Sequence, residues 1–275
     1  MSLLLRDAVR IAVTPDYVAA LRMSRGLRPR ITDKHCIPCD SASGKPLWGP
    51  AVSALGELLA KLGPKPADAT IVLSNRLLRY ALVPWNENLT SRVEEAAFAR
   101  HCFTSVYGQA AQTWEIRVSR ARVGEPQVAS AVDSELVRAL DGLLAASRLR
   151  FRSLQPHLMA AYNRWRGRLG QRTCLFLLVE KRLYTCMALV QGRCRAVRSG
   201  PVNGRLTEDL PFMLDREHLW SGMEERPAVF MYAPEHPHIK LPTELGWTGM
   251  SLHLQPTEGF SPVSDATYAI AMAPA

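Results

Sequence analysis

The sequence contains no apolar run approaching the eighteen or so residues that a membrane-crossing helix needs. Its first ten residues, MSLLLRDAVR, reach a charge directly after three leucines, too short a core for a secretory leader. Both absences lead us to expect a cytoplasmic protein. Cysteine is scarce, with six residues in 275. Cys36-x-x-Cys39, preceded by His35, has the form of half a zinc site. Cys102, Cys174, Cys186 and Cys194 supply no second pair at a suitable spacing, so no metal is expected. The pair also runs into a Ser/Gly loop, not the helix start that a redox CxxC requires. Cys174, Cys186 and Cys194 fall in strand-like runs and read as small buried apolar residues. No Gly-x-Ser-x-Gly elbow occurs, and His101, His157, His218, His236 and His238 have no Ser or Cys nucleophile set beside them. His236-Pro237-His238 lacks a further placed ligand. Acidic residues are in deficit, 25 against 34 Lys and Arg, for a net charge of +9. Arginines cluster at Arg148/Arg150/Arg152 and Arg164/Arg166/Arg168 without interleaved aromatics or a nucleic-acid motif. Nucleic acid is therefore not expected, and the acidic inner face of a membrane fits the charge better.

What is present is organised around Cys174–Arg198, CLFLLVEKRLYTCMALVQGRCRAVR. It parses as strand Cys174–Val179, a turn at Glu180–Arg182, strand Leu183–Val190, the Gln191-Gly192 turn, and strand Arg193–Arg198. The N-terminal part echoes it: Val9–Val13, a turn at Thr14-Pro15-Asp16, Tyr17–Met23, a turn containing Gly26, and Arg30–Ile37. Each meander is followed by a helix-period stretch and an apolar strand, Thr70–Leu73 in one case and Ala228–Tyr232 in the other. We expect an α/β protein of two related lobes, each strand-strand-strand-helix-strand.

Between the lobes the periodicity changes. A loop over residues 38–46 leads to a helix at Trp48–Leu62, and after Thr70–Leu73 a further strand runs Leu78–Val83. Ser91-x-x-Glu94 is a capping box opening a helix in which Ala99, Cys102, Phe103 and Val106 share a face. Strands Thr113–Ser119 and Gln127–Val132, a helix capped by Asp133, and strand Phe151–Leu154 complete a small α+β module. The parse is residues 1–85 for the first lobe, 86–155 for the inserted module and 170–275 for the second lobe, with the helix at 156–169 returning to the first. Residues 205–222 predict a helix carrying Leu206, Leu210, Met213, Leu214 and Leu219, with Pro211 in its first turn. Met250–Leu254 predicts a strand and Asp265–Ala273 a short closing helix.

This layout resembles the actin-like (RNase H-like) superfamily, and within it the pilus and secretion assembly proteins of the PilM and GspL type. Ile71–Trp85 is similar to their strand-turn-strand ending in an aromatic. Glu94–Tyr107, Val128–Leu144 and Arg150–Leu169 match the order of elements in their inserted module, and Asp265–Ala273 their terminal Ala-rich segment. The resemblance implies a non-enzymatic cytoplasmic scaffold of a type IV pilus or type II secretion platform, peripheral to the inner membrane. Its partners would be the cytoplasmic tail of a single-span membrane protein and a motor ATPase. The tail would lie in a groove lined from residues 74–85 and from the helix at 92–107, with Arg76, Arg79, Tyr80, Trp85, Arg92 and Phe98 as contacts. ATP-binding members hold phosphate on an Asp-x-Gly turn in each lobe, where small residues let backbone N–H groups approach the oxygens. This chain departs there. It has Thr14-Pro15-Asp16, in which proline donates nothing, and Glu180-Lys181-Arg182, without glycine. Ala233-Pro234 replaces the Gly-Gly turn expected near an adenine. The expectation is a fold retained without its nucleotide. The alternative is an ATP- and magnesium-dependent actin-like protein or phosphotransferase, with Asp16 and Glu180 as the only acids at the right turns.

Overall fold

The computed structural model describes residues 6–24, 26, 29–40 and 46–274. Most of the loop expected at 38–46 and of the turn around Gly26 lies outside these residues. The first sheet has five strands in the order β3-β2-β1-β4-β8: β1 (Ala8–Val13), β2 (Tyr17–Ser24), β3 (Arg30–Pro38), β4 (Ala67–Leu73) and β8 (Leu149–Pro156). The β1–β2 and β2–β3 pairs are antiparallel, while β4 lies parallel to β1 and β8 parallel to β4. The second sheet repeats the pattern as β11-β10-β9-β12-β13: β9 (Cys174–Val179), β10 (Leu183–Val190), β11 (Arg193–Pro201), β12 (Ala228–Tyr232) and β13 (Gly249–Ser251). Its meander is again antiparallel and its last two pairs parallel. Three strands, β5 (Leu78–Val83), β6 (Trp114–Val118) and β7 (Gln127–Asp133), form a separate antiparallel sheet in the order β5-β7-β6.

The central strands are buried on both faces because helices cover them, so they read as nearly continuous apolar runs. Val9, Ile11 and Val13 of β1 and Ile71 of β4 are fully buried, as is every residue of β9. Helix α1 (Gly49–Leu62) buries Ala51, Leu55, Leu58 and Leu62 and ends at Gly63, whose φ of +67° suits glycine. Helix α2 (Arg92–Tyr107) carries the complete Ser91/Glu94 capping box but buries only Ala99 and Phe103, and Val106 is exposed. The remaining helices are α3 (Ser134–Ala145), α4 (His157–Leu169) and α5 (Leu206–Ser221). Pro211 lies inside α5, beyond the first turn. Leu219, expected on the inner side of α5, is 80% exposed, and Phe212 and Trp220 are exposed with it.

The chain divides into two compact units. One comprises Met1–Leu77, Glu135–Arg164 and His253–Ala275, and the other Leu78–Ser134 and Trp165–Leu252. These boundaries correct the parse read from sequence in three places. Strand β5 does not belong to the first sheet, because after a single 3-10 turn at Asn75–Leu77 it pairs with β7. Strand β8 does not belong to the module. It lies parallel to β4, and a parallel partner needs a crossover that α3 can provide. Residues 253–274 join the first unit instead of the second lobe. The Ile31 N–H donates to the Glu258 carbonyl at 2.8 Å, Arg10 Nη1 to the Pro274 carbonyl at 2.7 Å, and Lys34 Nζ meets Asp265 Oδ1 at 2.8 Å. The closing segment is a 3-10 turn at Ala266–Tyr268 followed by the buried residues Ala269–Ala273, with no α-helix, and β13 is shorter than expected.

Candidate functional site

The first hairpin turn is closed on itself. Thr14 Oγ accepts from the N–H groups of Asp16 (3.2 Å) and Tyr17 (2.9 Å) and donates to the Tyr17 carbonyl (2.7 Å). Pro15 has no N–H. The turn's donors therefore point at its own threonine, which is 4% exposed. The Asp16 carboxylate pairs with Arg76 Nη1 at 2.7 Å, both side chains being mostly buried, and the Asp16 carbonyl accepts from the Cys39 N–H at 2.9 Å. Burial pushes the Cys39 thiol up to about 11, helped by Asp16 and Cys36, so it is a poor nucleophile and a poor metal ligand at neutral pH. His35 is held by Asp33 at 2.9 Å. No group of three His, Cys, Asp or Glu among the described residues could hold a metal ion.

The second hairpin turn is also satisfied internally. Glu180 is buried; its N–H donates to the Leu183 carbonyl at 2.8 Å, and its own carbonyl lies 3.3 Å from His236 Nε2. The Lys181 N–H donates to Glu235 Oε2 at 2.9 Å. A carboxylate from the loop after β12 thus takes up that amide. Burial holds the His236 pKa below its ordinary value; the Lys181 charge adds to this and the bond to the Glu180 carbonyl opposes it. A cavity of about 840 Å³ opens beside the turn, lined by Lys181, Arg182, Asn203, Thr207, Glu235 and His236 among others. One turn thus offers its donors to its own threonine and contains a proline, and the other already holds a carboxylate.

The six residues expected to contact a tail do not form one cluster. Arg76 belongs to the first unit and is tied to Asp16. The other five belong to the second unit. Tyr80 is 9% exposed and faces inward from β5, which removes it as a surface contact. Arg79 is exposed, with Nη1 2.7 Å from the Leu78 carbonyl. Trp85 is 42% exposed and shares with Phe98 a cavity of about 330 Å³, lined also by Leu89, Arg122 and Val123. Arg92 lines a different cavity of about 550 Å³ between α2 and β6, with Arg100, Arg117 and Arg120. Glu95 and Gln127 border both. Sequence reasoning missed Arg117, Arg120 and Arg122, whose signal was an Arg-x-x-Arg-x-Arg run at the end of a predicted strand.

No family model matches the chain, and no curated protein matches it by sequence. Solved structures do match it along nearly its whole length. A Bacteroides thetaiotaomicron protein of actin-like ATPase fold and unknown function superposes with a TM-score of 0.59 at 10% identity, over 96% of both chains. The fold is actin-like. The type IV pilus biogenesis complex PilM-PilN matches with a TM-score of 0.65 at 14% identity, over 97% of this chain and 96% of that one. The cytoplasmic domain of EpsL, an inner-membrane component of the type II secretion system of Vibrio cholerae, matches with 0.60 at 13%, over 98% and 96%. The two five-stranded sheets repeat one strand order, and each of the two hairpin turns described above joins the first two strands of its sheet. No helix among the described residues of this actin-like chain is long and apolar enough to cross a membrane.

Proposed function

We propose that this chain is a non-enzymatic cytoplasmic scaffold of a type IV pilus or type II secretion inner-membrane platform. It docks the cytoplasmic tail of a single-span membrane protein, is reached by the motor ATPase, and associates with the membrane through these partners. The observation that carries the reading is the closure of both hairpin turns. Thr14 Oγ and Glu235 accept from the backbone donors that a nucleotide phosphate would require. Likeness in fold to EpsL and to PilM-PilN supports the setting. Tail binding rests on Trp85, a large aromatic left 42% exposed at the mouth of the cavity it shares with Phe98. Aromatic anchors in a partly desolvated pocket carry most of the energy of such contacts. The basic charge of +9 adds attraction to the anionic leaflet.

The test is calorimetric titration of the full chain with the cytoplasmic peptide of the single-span protein encoded beside it. Trp85→Ala should weaken binding by about 2 kcal/mol, roughly thirtyfold in Kd. Arg79→Glu should weaken it too, with the fold unchanged. Unchanged affinity in both folded variants refutes the assigned surface. The alternative reading, an ATP- and magnesium-binding actin-like protein, draws on the cavity beside Lys181 and Arg182.

A further inference from the structure

The three-stranded sheet ends on β6, whose only strand partner among the described residues is β7. The Ser119 N–H donates to the Val128 carbonyl at 2.8 Å. By the two-residue alternation of an antiparallel ladder, Glu115 and Arg117 also address β7, and Ile116 and Val118 turn their N–H and C=O groups away from it. The Trp114 carbonyl, on the same outward side, accepts from Arg100 Nη2 at 3.2 Å. Arg100 thus closes the start of the edge and leaves the Ile116–Val118 stretch open. Beside that stretch lies the 550 Å³ cavity. Its floor is made of small or aliphatic side chains, Ala96, Ala97 and Ala99 of α2 with Ile116 and Val118 of β6. Its rim carries Arg92, Arg117 and Arg120 together with the acid Glu95. The Arg117 side chain is 84% exposed and its Nη2 lies 3.5 Å from Glu115 Oε2, an exposed pair that a ligand carboxylate can join or replace.

An open strand edge is a template for any other strand, and charge on it selects which strand may approach. Arginines here repel the same edge of a second copy and attract an acidic segment. Nucleic acid is less well matched. Trp114, the aromatic of this edge, is half-buried and packed against Phe103 and Tyr107, so the edge presents no row of exposed aromatics for base stacking. We infer that the β6 edge and its groove on α2 bind an extended acidic peptide as a fourth strand of this sheet. Alternate apolar side chains of the peptide lie on the alanine floor, and the intervening carboxylates face Arg117, with Arg92 and Arg120 at the ends. The inference rests on the β6 edge and does not use Trp85, although Glu95 and Gln127 border both surfaces and Arg92 is also among the tail contacts expected from sequence.

The experiment is fluorescence anisotropy on the full chain with a labelled peptide of alternating acid and valine, Glu-Val-Asp-Val-Glu-Val-Asp-Val. Two comparison ligands are the same peptide N-methylated at every second amide and a short single-stranded oligothymidylate. The parent peptide should bind saturably. The N-methylated form, equal in charge but unable to pair along one edge, should bind about tenfold or more weaker. Arg117→Glu with Arg120→Glu should also cost about tenfold or more. Val118→Pro, which removes one outward N–H that an edge strand can spare, should weaken the parent peptide and leave the N-methylated one unchanged. Trp85→Ala should have no effect. Several results would overturn the inference: equal binding of the two peptides, full displacement by oligothymidylate at similar concentration, unchanged binding in the arginine variant, or loss of binding in Trp85→Ala. The peptide comparison uses the unaltered protein and decides the matter even if a variant fails to fold.

Discussion

Replacing Thr14 with alanine tests whether the first hairpin turn is held by its own side chain. The hydroxyl accepts two amide N–H groups and donates to the Tyr17 carbonyl. The carbonyl keeps the Thr14 N–H at 3.0 Å, and Asp16 is only partly buried, so its amide can recover a water. The Tyr17 amide loses its Thr14 acceptor in a site where Thr14 and Tyr17 are 4% and 9% exposed. One buried donor left unmatched costs about 1–3 kcal/mol, so Thr14→Ala should destabilise by about 2 kcal/mol. In a chain of this size that lowers Tm by about 4–8 °C. Thr14→Val, similar in shape but without the hydroxyl, should behave like alanine, and Thr14→Ser should keep most of the stability. Thermal and urea denaturation followed by circular dichroism, with all four proteins side by side, gives the comparison. If alanine and valine match the wild type to within about 0.5 kcal/mol, Thr14 does not organise the turn. The turn's backbone donors would then be free to meet a phosphate.

Three further predictions concern the same two units. ATP with magnesium at millimolar concentration should leave the melting temperature unchanged; a ligand at a hundred times its Kd adds about 2.7 kcal/mol, so a clear magnesium-dependent rise would restore the nucleotide reading. Burial raises the Asp265 carboxyl pKa, but the bonds from Lys34 and the Ser261 amide outweigh it and leave the group below its ordinary 3.8. A depressed carboxyl stabilises the fold above that value and the benefit is lost as pH falls through the lower folded value, so Asp265→Asn should be less stable than wild type at pH 6, and the gap should shrink in urea titrations as pH is taken below the ordinary 3.8. Gly249 has φ of +144°, and a Cβ there would sit 1.9 Å from the Val229 carbonyl oxygen; Gly249→Ala should cost about 3 kcal/mol or more, and a loss below about 1 kcal/mol would mean that β13 does not pair as described.

Local chemistry was enough to read much of this chain. The two meanders were legible because apolar β-branched runs broken by Pro-Asp and Gln-Gly turns have few other solutions. The start of α2 was legible because Ser91 and Glu94 satisfy each other's backbone within four residues. Pro15 and the lack of glycine at Glu180–Arg182 were legible directly, and they mark a departure once the resemblance to ATP-binding actin-like proteins is drawn. Partnership between distant segments could not be read this way. Strand β8 looks the same whether it pairs in a module or with β4, because period and composition carry no record of the neighbouring strand. The closing segment joins the first unit through bonds from Arg10, Ile31 and Lys34 that lie more than two hundred residues away in sequence. For the same reason Arg76 read as a surface cation until the fold placed Asp16 against it. Glu235 carried no signal at all, since only tertiary packing brings a carboxylate from the loop after β12 onto the Lys181 amide. Strand pairing and burial are properties of the whole chain. They decide which polar groups are consumed internally and which, like those on the outward side of β6, are left for a partner.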